Sequence, residues 1–380
     1  MITRQNELDG LRGVAAFAVV ISHIAALQWV PFIDRRPAPD AAIYLMWHLG
    51  APAVDLFFVL SGYVVCGSLL KTRSAYGPFV IGRYVRLLPI AWVGVAAGML
   101  LRHFAAALPA GMSGSLQHAH RALHLSDLVS YASMIAPVPD AAMVNPPLWS
   151  LFVEIQVAFA MPLLAAAARR RPALLAVAGI VMCISAGVLT GTAYPLLFAG
   201  FFVGAAYAGL EKNIQRSRRP AALLLVALGI LLLRTWLNTD DEGLRPVCAL
   251  GALGVIIAVK DGSGKRFLKH PCVQWLGKIS YPLYATHYPV IAFAAIAGAS
   301  SIGLIAAAIL SVPAALCLAA LLQWSVDAPS VAISGKVRRL LCADRLERQR
   351  SSWPHNDSAP TFVHQPGNGT LAATLEMKAE

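Results

Sequence analysis

The sequence predicts an all-α, polytopic transmembrane bundle of about ten spans, with both termini cytoplasmic. Three observations predict it. Of 380 residues, 58% are hydrophobic and only 13% are Asp, Glu, Lys or Arg. Mean hydropathy is +0.64. Apolar runs of about 20 residues recur along the chain, the length that crosses a bilayer core of roughly 30 Å. A soluble core of this size hides far less apolar surface. A secreted disulfide scaffold, a disordered chain and an ordinary cytosolic enzyme are therefore excluded.

Ten spans are predicted, at about 9–30, 43–69, 82–104, 147–168, 172–190, 193–210, 220–237, 244–259, 279–298 and 302–325. In the second, Gly50-Ala51-Pro52 is expected to break or kink the helix. Basic residues favour the cytoplasmic side of a membrane. With the N-terminus inside, 25 of the 31 Lys and Arg fall on inner segments. The outer six are Arg35, Arg36, Arg102, Arg121, Arg234 and Arg245. This bias predicts both termini inside and an even number of spans. The net charge of +12 raises nucleic acid as a partner. The basic clusters lie between apolar runs, so the bilayer is the expected partner and nucleic acid is not.

Residues 1–328 form the expected transmembrane domain, and 329–380 a basic, then polar, cytoplasmic tail whose end is expected to be disordered. The first apolar run reads as a retained span, not a cleaved signal. Cys66, Cys183, Cys248, Cys272, Cys317 and Cys342 lack close spacing and read as packing residues. His118, His120 and His124 in the outer loop do not share a helical face, and no metal site is expected there. Asn368-Gly369-Thr370 matches a glycosylation sequon but falls on the cytoplasmic side of this topology.

Ionisable residues at membrane depth carry the functional signal, because a charge at the bilayer centre costs about 2.5–3.5 kcal/mol on insertion scales. The main ones are Arg12, His23, His48, Asp55, Glu154 and His287. Arg12 and His23 are eleven residues apart, three turns or roughly 16 Å, so they share one face of the first span. Asp9 can pair with Arg12. Glu154 follows Asn145-Pro146-Pro147-Leu148-Trp149-Ser150, whose prolines suit a helix start. It is expected to meet His23 at similar depth, where a carboxylate orients an imidazole. An interhelical hydrogen bond is the plainer role for Glu154, as helix packing is for Asp55 and His287. Arg83 and Arg86 share a helical face, and their planar forks suit phosphate; a positive flank at a span end is the plainer reading.

Together these segments resemble the membrane-bound acyltransferase family 3, which includes O-acetyltransferases of bacterial surface polysaccharides. The matching pieces are Leu8-Asp9-Gly10-Leu11-Arg12-Gly13 with His23; Asp55-Leu56-Phe57-Phe58-Val59-Leu60-Ser61-Gly62; Arg83-Tyr84-Val85-Arg86-Leu87-Leu88-Pro89; Trp149-Ser150-Leu151-Phe152-Val153-Glu154; and Ser280-Tyr281-Pro282-Leu283-Tyr284 with His287. They cover roughly residues 5–325 in the family's order. The resemblance implies about ten spans and transfer of an acyl group, commonly acetyl, from cytoplasmic acyl-CoA to a hydroxyl of a cell-surface or lipid-linked glycan; some members modify macrolides. It places the essential histidine at His23, with Glu154 and Asp55 as further catalytic candidates. Arg12, Arg83 and Arg86 become the acyl-CoA-binding candidates. Asp9, Ser61, Trp149, Tyr281 and His287 are further site candidates. Acetyl-CoA or another acyl-CoA is the donor substrate, and no metal is implied. Direct transfer with His23 as base and a transient acyl-enzyme both remain open. The alternative function is transport of a lipid-linked or anionic solute; a membrane scaffold is a third reading, disfavoured by the deep polar groups. The acceptor and the acyl length stay open, as does the oligomeric state, a homo-oligomer included.

Overall fold

The structure, a computed structural model, describes residues 6–26, 41–72, 75–104, 123–135, 144–239, 241–297 and 303–351. These residues are helical, with no strand among them. The principal helices are α1 (Asn6–Ile24), α2 (Ala41–Trp47), α3 (Gly50–Thr72), α4 (Tyr76–Phe104), α5 (Leu125–Ser133), α6 (Leu148–Arg170), α7 (Pro172–Thr190), α8 (Ala199–Leu210), α9 (Pro220–Leu231), α10 (Arg245–Lys260), α11 (Pro271–Ala297), α12 (Leu304–Leu322) and α13 (Ala328–Ser351). Where described, the ten predicted spans are largely helical.

Seven helical stretches among the described residues are long and apolar enough to cross a membrane: Tyr44–Thr72, Tyr76–Phe104, Leu148–Arg170, Pro172–Thr190, Tyr194–Asn213, Glu242–Lys260 and Ala306–Cys342. Helix α1 is less apolar because Glu7, Asp9 and Arg12 occupy its first turns. Helix α11 carries Lys278, His287 and two internal prolines. Both are buried over much of their length; His287 is fully buried, Glu7, Asp9 and Arg12 are half-buried, and Lys278 is exposed. The predicted span 220–237 is broken. Helix α9 has 12 residues, about 18 Å, and ends at Leu232 before a separate turn, Leu233–Trp236. The second span is interrupted as well, just before Gly50: α2 ends at Trp47 and α3 starts at Gly50, with Pro52 in its first turn.

Helices α1 and α11 run side by side and parallel. Gly13 meets the backbone of Leu276 and Gly277, and ten residues further along each helix His23 meets His287. A Cβ on Gly13 would overlap that backbone, so its absence sets the close approach. At the start of α6, the Asn145-Pro146-Pro147 turn locks three elements together. The Asn145 amide donates to Gly94 O (3.0 Å) and Ala285 O (2.8 Å). The Ala285 carbonyl needs such a donor, because Pro289, four residues later, has no N–H to offer it.

Helix α12 does not stop at the predicted end of the last span. A π-helical segment, Gln323–Asp327, carries it into α13, and residues 304–351 extend roughly 70 Å. That exceeds any bilayer core, so part of the helix projects beyond it. Helix α13 packs antiparallel along α4.

Candidate functional site

A cavity of about 770 Å³ opens between α1, α3, α4, α6, α11 and the π segment with α13. Five basic side chains line it: Arg12, Arg83, Arg86, Lys278 and Arg338. Three acidic ones do: Asp9, Glu154 and Asp327. Its remaining walls are mixed, with Phe57, Phe58, Phe79, Tyr281 and Tyr284 among them.

Each charge is set by local sequence. On α1, Asp9 and Arg12 are three residues apart and 3.8 Å from each other. On α4, Arg83 reaches across to α6, where its guanidinium donates to Glu154 at 2.6 Å and to Ser61 Oγ at 3.2 Å. Ser61 in turn donates to Glu154 at 3.3 Å. Arg86, one turn along α4, stays exposed in the cavity. Arg12, Arg83 and Arg86 lie within electrostatic reach of one another. Each of the three has a carboxylate nearby, Asp9 for Arg12, Glu154 for Arg83 and Asp327 for Arg86.

Beside the cavity lies an imidazole pair. The His287 ring is fully buried, and its Nδ1 faces the carbonyls of Leu283 (3.0 Å) and Tyr284 (2.9 Å). Only an N–H satisfies carbonyl oxygens, so Nδ1 carries the proton in the neutral ring and Nε2 is an acceptor. That Nε2 lies 3.1 Å from His23 Nδ1, which also approaches Val19 O at 3.0 Å. His23 Nδ1 is therefore the protonated nitrogen. Its Nε2 is left with a lone pair, the form a proton acceptor requires.

Two sequence expectations are corrected here. His23 is oriented by His287 instead of Glu154 or Asp55. The Glu154 carboxylate is held by Arg83 and Ser61, while Asp55 accepts from Arg245 at 2.6 Å. Nor does the shared face of Arg12 and His23 put both into the cavity. Arg12 lines it; His23 and His287 stand behind Tyr284, whose ring is 6.0 Å from that of His287. Phe57 packs edge-on against Tyr284, with centroids 5.6 Å apart, and both line the cavity. Ser150 anchors Tyr284 by donating to its hydroxyl at 2.6 Å.

The other candidates divide. Asp9, Ser61, Arg83, Arg86, Glu154 and Tyr281 line the cavity, and Tyr281 donates to Leu87 O at 2.6 Å. Trp149 does not line it; its ring lies 5.7 Å from the Arg245 guanidinium. Asp55, Arg245, Glu242 and Arg234 form a linked ion network in which Arg245 and Glu242 also bond directly. Arg234 and Arg245, read from sequence as outer-loop charges, are both buried. The acidic run before Arg245 was the available signal. His48 bonds through Nδ1 to Tyr44 O at 2.9 Å and does not line the cavity. His124 begins α5, where its N–H donates to Asp127; His118, His120, Arg35, Arg36, Arg121 and Asn368 lie outside the described residues. Among the described residues, no three His, Cys, Asp or Glu side chains gather as a metal site, and the six cysteines are unlinked thiols.

A family model described as "Acyltransferase domain" matches residues 5–324. The chain belongs to the acyltransferase 3 family. This acyltransferase is 26% identical over 406 aligned residues to "Acyltransferase MdmB" of Streptomyces mycarofaciens, covering 95% of this chain and 98% of that protein. It is 30% identical over 163 residues to "Protein 2 in picA locus" of Rhizobium radiobacter, covering 40% of this chain and 76% of that one. No solved structure matches. Asp327 and Arg338 of the acyltransferase cavity lie past the matched residues, on the segment that sequence reading assigned to the last span's end and the tail.

Proposed function

We propose that this membrane acyltransferase moves an acyl group, acetyl in the simplest case, from acyl-CoA to a hydroxyl of a cell-surface or lipid-linked glycan at a bacterial inner membrane. The observation that carries the reading is the pairing of a basic cavity with an adjacent imidazole pair of defined tautomer. Arg12, Arg83 and Arg86 suit the donor's phosphates. In this reading the pantetheine arm passes Tyr284 and Phe57 to reach His23. His23 Nε2 takes the proton of the acceptor hydroxyl as that oxygen attacks the thioester carbonyl. The C–S bond then breaks, and His23 returns the proton to the departing thiolate. During the step the charge on His23 is shared with Val19 O and His287. Direct transfer accounts for this geometry without a separate acyl carrier.

The test uses membranes containing the full chain, labelled acetyl-CoA and a glycolipid extract as acceptor. General-base catalysis is worth about 10²–10⁴ in rate, so His23→Ala loses that much label transfer while inserting normally. Near-normal transfer by a well-inserted variant removes the assignment. A protein that moves solute yet never releases CoA thiol is a transporter.

A further inference from the structure

We propose that Arg338, on the helix beyond the matched acyltransferase domain, forms an outer anion subsite that binds the ribose 3′-phosphate of the CoA donor. The inference rests on the donor reading above.

The first observation is that Arg338 is built into the wall. Helices α4 and α13 run antiparallel: Asp327 lies near Arg86, and Ser334 donates to Gly82 O at 2.5 Å. The Cγ and Cδ of Arg338 cross the face of Gly82, in the space that a Cβ would fill. Glycine at 82 thus leaves a channel for the arginine stem, which passes over α4 into the cavity lining. The second is charge. The lining holds five basic groups against three acidic ones, an excess of two positive charges, with Arg338 on α13 and Lys278 on α11 as the cations outside the Arg12, Arg83 and Arg86 cluster.

Position supplies the third. The Arg338 stem crosses α4 at Gly82, next to Arg83 and about one turn nearer the Tyr76 end than Arg86. That end faces the cytoplasm in the predicted topology. A donor that enters thioester first brings its diphosphate in next and its ribose 3′-phosphate last. Arg12 and Arg86 then meet the diphosphate, and Arg338, nearer the Tyr76 end than Arg86, meets the 3′-phosphate. An Arg fork on a phosphate is a strong, charge-assisted contact.

The experiment compares acetyl-CoA with acetyl-dephospho-CoA, which lacks only the 3′-phosphate, in the full-length membrane protein. Arg338→Gln is expected to raise KM for acetyl-CoA about tenfold, near 1.4 kcal/mol, with kcat within twofold. KM for acetyl-dephospho-CoA moves less than twofold. Arg338→Lys recovers most of the loss, and Arg339→Gln, which does not line the cavity, leaves both donors unchanged. Binding of CoA and dephospho-CoA to the unmodified protein is measured alongside, with CoA expected about tenfold tighter. Equal binding of the two, or an equal KM shift for both donors in the variant, overturns the subsite while acyl transfer from CoA stands. Absence of transfer from any CoA thioester, with no CoA binding, overturns the donor reading itself.

Discussion

At His23 the chemistry depends on which ring nitrogen carries the proton, and backbone carbonyls three and four residues before His287 decide it. The order runs from Leu283 O and Tyr284 O to His287 Nδ1–H, then from His287 Nε2 to His23 Nδ1–H. Replacing His287 by Phe keeps a flat ring but removes the lone pair that holds His23. His23 keeps Val19 O alone and turns more freely. Misalignment of a catalytic group by about 1 Å can cost 10²-fold. His287→Phe is therefore expected to lower kcat by about 10–100-fold with donor KM within twofold, measured as steady-state acetyl transfer. An unchanged kcat would remove the positioning role. The candidate residues were legible in sequence because polar groups are costly at membrane depth. Their partners were not. Depth alone suggested Glu154 as the neighbour of His23, and depth does not say which helix faces which.

Helix pairing makes that choice. Small residues let α1 and α11 approach closely enough for imidazole rings ten residues further along to bond. Gly13→Val places methyls against the Leu276–Gly277 backbone, which must shift. Overpacking of this kind costs about 1–3 kcal/mol. The expected outcome is a lower melting temperature in detergent together with reduced transfer. A variant that melts like the parent and transfers normally would show that the helices need no such approach. At this scale the sequence revealed helix positions through apolar length. It missed the break at Leu232 and the π segment at Gln323–Asp327. The break at Leu232 leaves the hydrophobic run around it undisturbed, and the π segment falls where that run ends, so hydropathy, which reads only composition, marks neither.

Across the whole molecule, α1 and α11 run parallel, so both cross in one direction; with the N-terminus inside, as predicted, the start of α11 is cytoplasmic. Cys272, exposed at the first turn of α11, and Cys342, exposed on α13, then both face the cytoplasm. A membrane-impermeant maleimide is expected to label both in inverted vesicles and neither in right-side-out ones. Labelling of either from the outside would reverse the topology. The sequence by itself determined that this chain is helical, membrane-embedded and an acyltransferase, because apolar length, charge placement and local motifs are written along one dimension. Only the tertiary structure decided that His287 holds His23, that Asp55 serves a buried ion network, and that α13 closes the basic cavity. Those facts depend on contacts between residues as many as 264 positions apart, and a linear pattern carries no record of such distances.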